Sequence, residues 1–139
     1  MDLVLTVIGV LAGALVVVVA LGLVRLLLLR RRHRARVAAL SPELVTQAAL
    51  FGVASDRTTQ TRGVGSLVLG AEQLAFVTVV AGRDVTVPRA AITSATAPRT
   101  FMGRRSDADL LVVTWERDGD ADAAAFRVSD PHTWLQRLS

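Results

Sequence analysis

From Leu3 to Val24 the chain carries no charged residue, and after the single interruption of Arg25 the apolar run resumes through Leu26–Leu29. About twenty apolar residues cover the roughly 30 Å hydrocarbon layer of a bilayer at about 1.5 Å of rise per helical residue. A strand seldom exceeds about ten residues, and in hydrocarbon a single helix pairs its backbone amides within its own segment. Residues 1–29 therefore read as a transmembrane helix. Arg25 falls near its end, where a long stem carries the guanidinium to the headgroups.

Only Asp2 precedes this span, whereas Arg30, Arg31, Arg32, Arg34 and Arg36 follow it in a basic juxtamembrane linker over residues 30–43. Arginine beside a span is retained on the cytoplasmic side. The expected topology is a single pass through the cell membrane, N terminus outside and C-terminal domain cytoplasmic, with Arg25 and the five later arginines as the anchor flank. A cleaved secretory signal would send the domain outward, but such signals carry their basic residues before a shorter apolar region. The cluster also has a sharper reading, as a polybasic segment that binds anionic lipids. Within the span Gly9 and Gly13 form a small-residue pair one turn apart, which would let two copies approach as a homodimer.

Charge divides unevenly along the chain. Residues 1–36 hold six arginines against one acid, and residues 37–139 ten against eleven. The basic character of the whole belongs to the anchor, and the remainder shows no stripe of the kind nucleic-acid binding needs. Cysteine is absent and every basic residue other than histidine is arginine. That excludes a disulfide framework, a thiol nucleophile, a thiolate metal site, a P-loop lysine and a Schiff base.

Beyond the anchor, Ser41, Pro42 and Glu43 match an N-cap, a first-turn proline and an acid at the positive end of a helix. A short helix from Pro42 to about Leu50 follows from that pattern, while Val45–Val53 read as a first strand is the alternative. Short strands with turn signals between them then indicate a small antiparallel β domain. The candidate strands are Ala49–Ser55, Thr58–Arg62, Gly65–Leu69, Leu74–Val80, Asp84–Val87, Ile92–Thr96, Leu110–Glu116 and Ala123–Val128. Turns are expected at Gly70–Gln73, Ala81–Arg83 and Asp118–Asp122, where Gly and Asp favour reversals. Asp130 and Pro131 read as the N-cap and first residue of a C-terminal helix that turns Trp134, Leu135 and Leu138 onto the β domain.

Over residues 44–139 these segments resemble the pleckstrin-homology-like superfamily, and within it GRAM-like and bacterial PH-like domains. GVGSLVLGAEQLAFV is similar to their consecutive hairpin, VTVPRAAITSA to the next strands, and LLVVTWERDGDADAAAFRVSDPHTWLQRL to the final hairpin and capping helix. The resemblance implies a mainly β fold: a small antiparallel barrel or two-sheet domain closed by a C-terminal helix and carried on the transmembrane anchor. It implies a membrane, lipid or protein interaction module. Relatives that bind inositol phospholipids use several basic residues of the first hairpin. Here that region offers Arg57 and Arg62, a thin base for polydentate phosphate binding, and Gly63 and Gly65 beside them suit turn or bulge geometry.

The most distinctive polar loop is 98–109, where Arg99, Phe101, Met102, Arg104 and Arg105 combine cations with apolar side chains suited to a bilayer interface or a protein partner. An ordinary surface loop with Phe and Met folded onto the core is the alternative. His33 and His132 belong to no carboxylate or nucleophile cluster of the kind acid–base chemistry requires. Asp107 with Asp109, and Asp118, Asp120 and Asp122, raise calcium as an idea, but the latter run lacks the Gly and closing Glu of an EF-hand loop. No catalytic residue, cofactor or metal is assigned. The expected function is a noncatalytic adaptor that binds a protein partner at the inner membrane face. Anionic-lipid sensing through Arg99, Arg104 and Arg105 is the second reading, and an accessory subunit of a membrane enzyme or transporter the third.

The orientation is testable because the chain has no cysteine of its own. In intact cells a membrane-impermeant maleimide should label an Asp2→Cys variant and spare Ser139→Cys until the cells are opened. A secretory orientation would reverse the pattern.

Overall fold

In the computed structural model, which describes residues 1–55, 63–79 and 84–139, helix α1 runs unbroken over Asp2–Ala38 and is long and apolar enough to cross a membrane. At about 1.5 Å per residue it is about 55 Å long. The stretch expected as a linker is thus the last turns of α1, a turn at 39–41 and the start of the first strand. Ser41 makes the break with a positive φ of 48°.

Strand β1, Pro42–Val53, occupies the place where the capping pattern called for a helix. Ser41, Pro42 and Glu43 satisfy a local rule, but long-range pairing decides the outcome. Leu44, Ala48 and Leu50 recur with the period of a strand and pack into the core, and Pro42 sits at the strand's first position, where its missing amide costs least. The alternative over Val45–Val53 is the one the structure adopts.

The other strands are β2 (Gly63–Gly70), β3 (Gln73–Thr78), β4 (Val85–Pro88), β5 (Ile92–Thr96), β6 (Thr100–Phe101), β7 (Arg104–Arg105), β8 (Leu111–Arg117) and β9 (Asp120–Val128). Seven of them form one antiparallel sheet in the order β4-β3-β2-β1-β9-β8-β5, and β6 and β7 make a small separate hairpin. The expected strand Thr58–Arg62 and turn Ala81–Arg83 lie outside the described residues. The reversal expected over Asp118–Asp122 narrows to Asp118 and Gly119, both at positive φ, flanked by the Arg117–Asp120 pair. Two such residues are what a tight type I′ hairpin requires.

The sheet curls without closing into a barrel. Its edge strands β4 and β5 are joined by a 3-10 turn at Arg89–Ala91 and are not paired to each other. Side chains from both ends of the sheet nonetheless share one core. Leu74, Phe76 and Val87 meet Leu67, Leu111, Val113 and Phe126 there, and the Phe76 and Phe126 rings lie 5.5 Å apart. Each fully buried side chain of this kind contributes about 1.5–3 kcal/mol.

Helix α2, Pro131–Leu138, plugs the open side with Trp134 buried and Leu135 and Leu138 against the core. Asp130 caps it as its position suggests, accepting from the Thr133 amide at 3.3 Å and the Thr133 hydroxyl at 2.6 Å. Those bonds hold the Asp130 carboxyl below its usual range. A depressed folded-state value means that the cap's contribution is complete above the ordinary carboxylate range and is lost as acid brings the pH down through the lowered value.

Gly65 marks the tightest approach in the sheet: a Cβ there would lie 2.1 Å from the Val77 carbonyl oxygen. Gly65→Ala must push β2 off β3, and we expect a loss of about 3 kcal/mol, the upper end of overpacking costs. Gly103→Ala meets nothing within 4 Å and faces only its φ of +76°, a cost of about 1–2 kcal/mol. Denaturation of the full chain followed by fluorescence of the buried Trp115 and Trp134 should rank the two in that order.

Candidate functional site

Two features stand out on the outer face of the sheet, opposite the core. The first is the seat of α1. Val37 and Leu40 cover Val68, Ala75 and Val77 of β2 and β3, and a ring of polar contacts surrounds that patch. His33 places Nδ1 3.3 Å from the Thr78 carbonyl and Nε2 2.9 Å from the Ser66 hydroxyl. A carbonyl only accepts, so the Nδ1 contact carries a proton. Arg36 donates to the Thr78 carbonyl and to Asp84, the latter at 3.0 Å. The other oxygen of Asp84 accepts from the Thr78 amide and hydroxyl, each at 2.9 Å, so one carboxylate ties the end of β3 to α1.

The half-exposed ion pair is worth about 0–1 kcal/mol, so the apolar patch supplies most of the hold. His33, Arg36, Val37 and Leu40 follow the i, i+3, i+4, i+7 spacing of one helix face. That stripe is the signal by which the seat was discoverable in the sequence, hidden because the arginine cluster around it drew a reading as headgroup anchor. The contacts run from His33 over Ser66 to Leu40, whose carbonyl would lie 2.7 Å from a Cβ on Gly70. The apolar length of α1 therefore projects past the Gly63 end of β2 and the Leu50–Val53 end of β1.

The second feature is a cleft of ≈ 320 Å³ lined by Ala49, Leu50, Phe51, Arg105, Ser106, Asp107 and Arg127. Its wall is the hairpin β6–β7, reversed at Met102 and Gly103, both at positive φ. The base of the hairpin is tied by Ser106 N–H to the Arg99 carbonyl at 2.7 Å and Leu110 N–H to the Pro98 carbonyl at 2.8 Å. Phe101 turns inward onto Leu110, Val112 and Ala125 and is 8% exposed, whereas Met102 at the tip is 51% exposed.

Of the arginines singled out in this loop, Arg99 pairs with Asp109 at 3.0 Å. Arg104 lies over the Phe51 ring, 4.5 Å from its centroid, and donates to the Phe51 carbonyl. Arg105 is exposed and lines the cleft. Arg127, which no spacing along the chain singles out, also lines the cleft and pairs with Asp107. The structure thus sets Arg104 opposite Phe101 in the hairpin, both beside Gly52, and leaves Arg105 to line the cleft.

Arg25, Arg30, Arg31, Arg32 and Arg34 are exposed along α1, and Arg36 is half-buried in the seat. Gly9 and Gly13 stand on open helix surface. Asp122 accepts from the Ser55 amide at 3.0 Å and hydroxyl at 2.7 Å, fastening the end of β1 to β9. Comparison of the chain with family models, with curated proteins and with solved structures finds no match.

If the apolar patch holds α1, Val37→Asp should free it. Spin labels on Arg32→Cys and Thr96→Cys should give a narrow distance distribution in the parent and a broad one in the Val37→Asp chain, while Trp fluorescence stays that of a folded core. Equal widths would show that the seat does not constrain the helix.

Proposed function

We propose that the chain is a single-pass, membrane-anchored β module of PH-like type that binds a protein partner at the cytoplasmic face of the cell membrane and performs no chemistry itself. The observation that carries this reading is the seat of α1. The end of the anchor is packed against the sheet, so the domain stands at a set orientation beside the bilayer instead of swinging on a loose tether. A domain already held there gains little from contacts that only relocate it to the surface. A fixed orientation is useful for presenting one face to a neighbour in the same membrane.

The PH-like part of the proposal draws on the consecutive antiparallel hairpins, the shared core of a curled sheet and the C-terminal helix across its open side. The gap between β4 and β5 is a departure from a closed barrel.

Lipid sensing keeps one specific support, the exposure of Arg105 and Met102 on the hairpin and of the arginines along α1. It is the weaker reading because Arg99 and Arg104 are engaged within the domain and Phe101 is in its core.

Crosslinking in intact cells followed by mass spectrometry tests the proposal, with a chain lacking residues 41–139 as control. We expect a discrete protein that copurifies with the full chain and is lost with the domain. Recovery of the same proteins by the anchor alone would refute a partner for the β module.

A further inference from the structure

Three large apolar side chains are exposed in the β domain among the described residues: Val45 at 44%, Val64 at 67% and Met102 at 51%. They are not scattered. Val64 stands directly opposite Ala49 in the β1–β2 ladder, and Ala49 lines the cleft. Val45 lies on the same face of β1, and Met102 tips the hairpin that walls the cleft. Val45, Ala49 and Val64, with the polar Gln47 between Val45 and Ala49 and with Phe51 under Arg104 at the far end, make a largely apolar floor between α1, seated over β2 and β3, and the hairpin, packed over β8 and β9.

Both flanks of that floor are cationic. On the hairpin side stand the exposed Arg105 and Arg127, the latter paired with Asp107. On the helix side the flank follows from geometry. At about 100° per residue Arg36 lies about 60° to one side of His33, while Arg30 and Arg34 lie about 60° and 100° to the other. Arg36 reaches toward Asp84 at the β4 side, so Arg30 and Arg34, both exposed, lie on the β1 side of α1. The uncovered floor is about one to two strands wide, ~5–10 Å, which admits an extended chain but crowds a helix of about 10 Å diameter. From Val45 to Ala49 the uncovered stretch is about 13 Å long, at about 3.3 Å per residue.

We infer that this strip is the docking site for a short extended segment of the partner protein that alternates apolar with acidic residues. The apolar side chains lie on Val45, Ala49 and Val64, and the carboxylates meet Arg105 and Arg127 on one flank and Arg30 and Arg34 on the other. The inference rests on the protein-binding function proposed above and names its surface and chemistry. An anionic headgroup would suit the arginines. It would not follow the floor to Val45, which runs away from the projecting apolar end of α1.

The test uses the full chain in nanodiscs of phosphatidylcholine, panned against a displayed library of random dodecapeptides. Enrichment of sequences with Asp or Glu alternating with Leu, Val or Phe is the expected result. Affinity for a synthetic copy of the enriched peptide should fall about tenfold in Arg105→Glu or Arg127→Glu, the scale of losing one interfacial charge pair, and recover when the peptide's acids are changed to lysine. Both arginines are surface residues, so the folded-state Trp emission should be unchanged.

Enriched peptides indifferent to these substitutions would overturn the site, as would competition by nanodiscs carrying phosphatidylserine, which would make a lipid the occupant. Rapid disulfide dimerisation of a Val64→Cys chain would point to a second copy and overturn it too. If the Arg105→Glu chain still captures its partner in cells, the strip is wrong while the protein-binding reading stands. Loss of capture by the parent chain would remove that reading itself.

Discussion

Strand β1 hydrogen-bonds to β2 along Pro42–Leu50 and to β9 along Ala48–Val53, and the two ladders overlap at Ala48–Leu50. Without that overlap the chain would hold two separate sets of hairpins, neither with enough apolar surface to sustain a core of its own. Because the overlap places Leu50 beside Phe126 on one side and Gly63 on the other, the hydrophobic faces of both sets curl toward one interior. The shift in register between Leu50 and Gly52 is where β1 bends to serve both. A bulge of this kind increases the local twist, which is what turns a flat seven-stranded sheet into one whose ends share side chains.

The position of β1 in the sequence also fixes α1. Three residues separate it from the end of α1, and Gly70 lets the turn at Leu40 lie directly against the end of β2. With so short a connection the last turns of α1 have no freedom to stand clear of the sheet. Val37 and Leu40 then cover the outer apolar residues of β2 and β3, which a sheet with one solvated face would otherwise expose. The seat is thus a consequence of the central strand being the first one.

Much of this arrangement is legible in the residues. The strand Ile92–Thr96, the helix behind Asp130 and Pro131, and the β2–β3 hairpin follow from alternation, turn chemistry and capping, all of which act over a few residues. The failures have the opposite character. Ser41-Pro42-Glu43 is a sound local cap pattern, overruled by pairing with strands more than twenty residues away. Phe101 has the same composition around it whether it points outward or inward, and only the apolar surface of Leu110, Val112 and Ala125 decides. The Arg127–Asp107 pair and the cleft it borders join β9 to the hairpin loop, a juxtaposition that no spacing along the chain announces.

Net charge is the other quantity that misleads when read from sequence alone. Residues 37–139 carry one more acid than arginine, yet several acids are committed to internal tasks. Asp84 ties β3 to α1, Glu43 holds Arg89, Asp109 holds Arg99, Asp122 fastens Ser55 and Asp130 caps α2. An acid engaged with a backbone amide or hydroxyl near the surface still carries its charge, but its position is set by the fold, and none of these five lines the cleft. Asp107 does line it and pairs with Arg127, so the exposed arginines of α1 and Arg105 set the sign of the outer strip. A nearly neutral domain can in this way present a cationic face beside an apolar floor, because the fold distributes acids according to the hydrogen bonds it must complete.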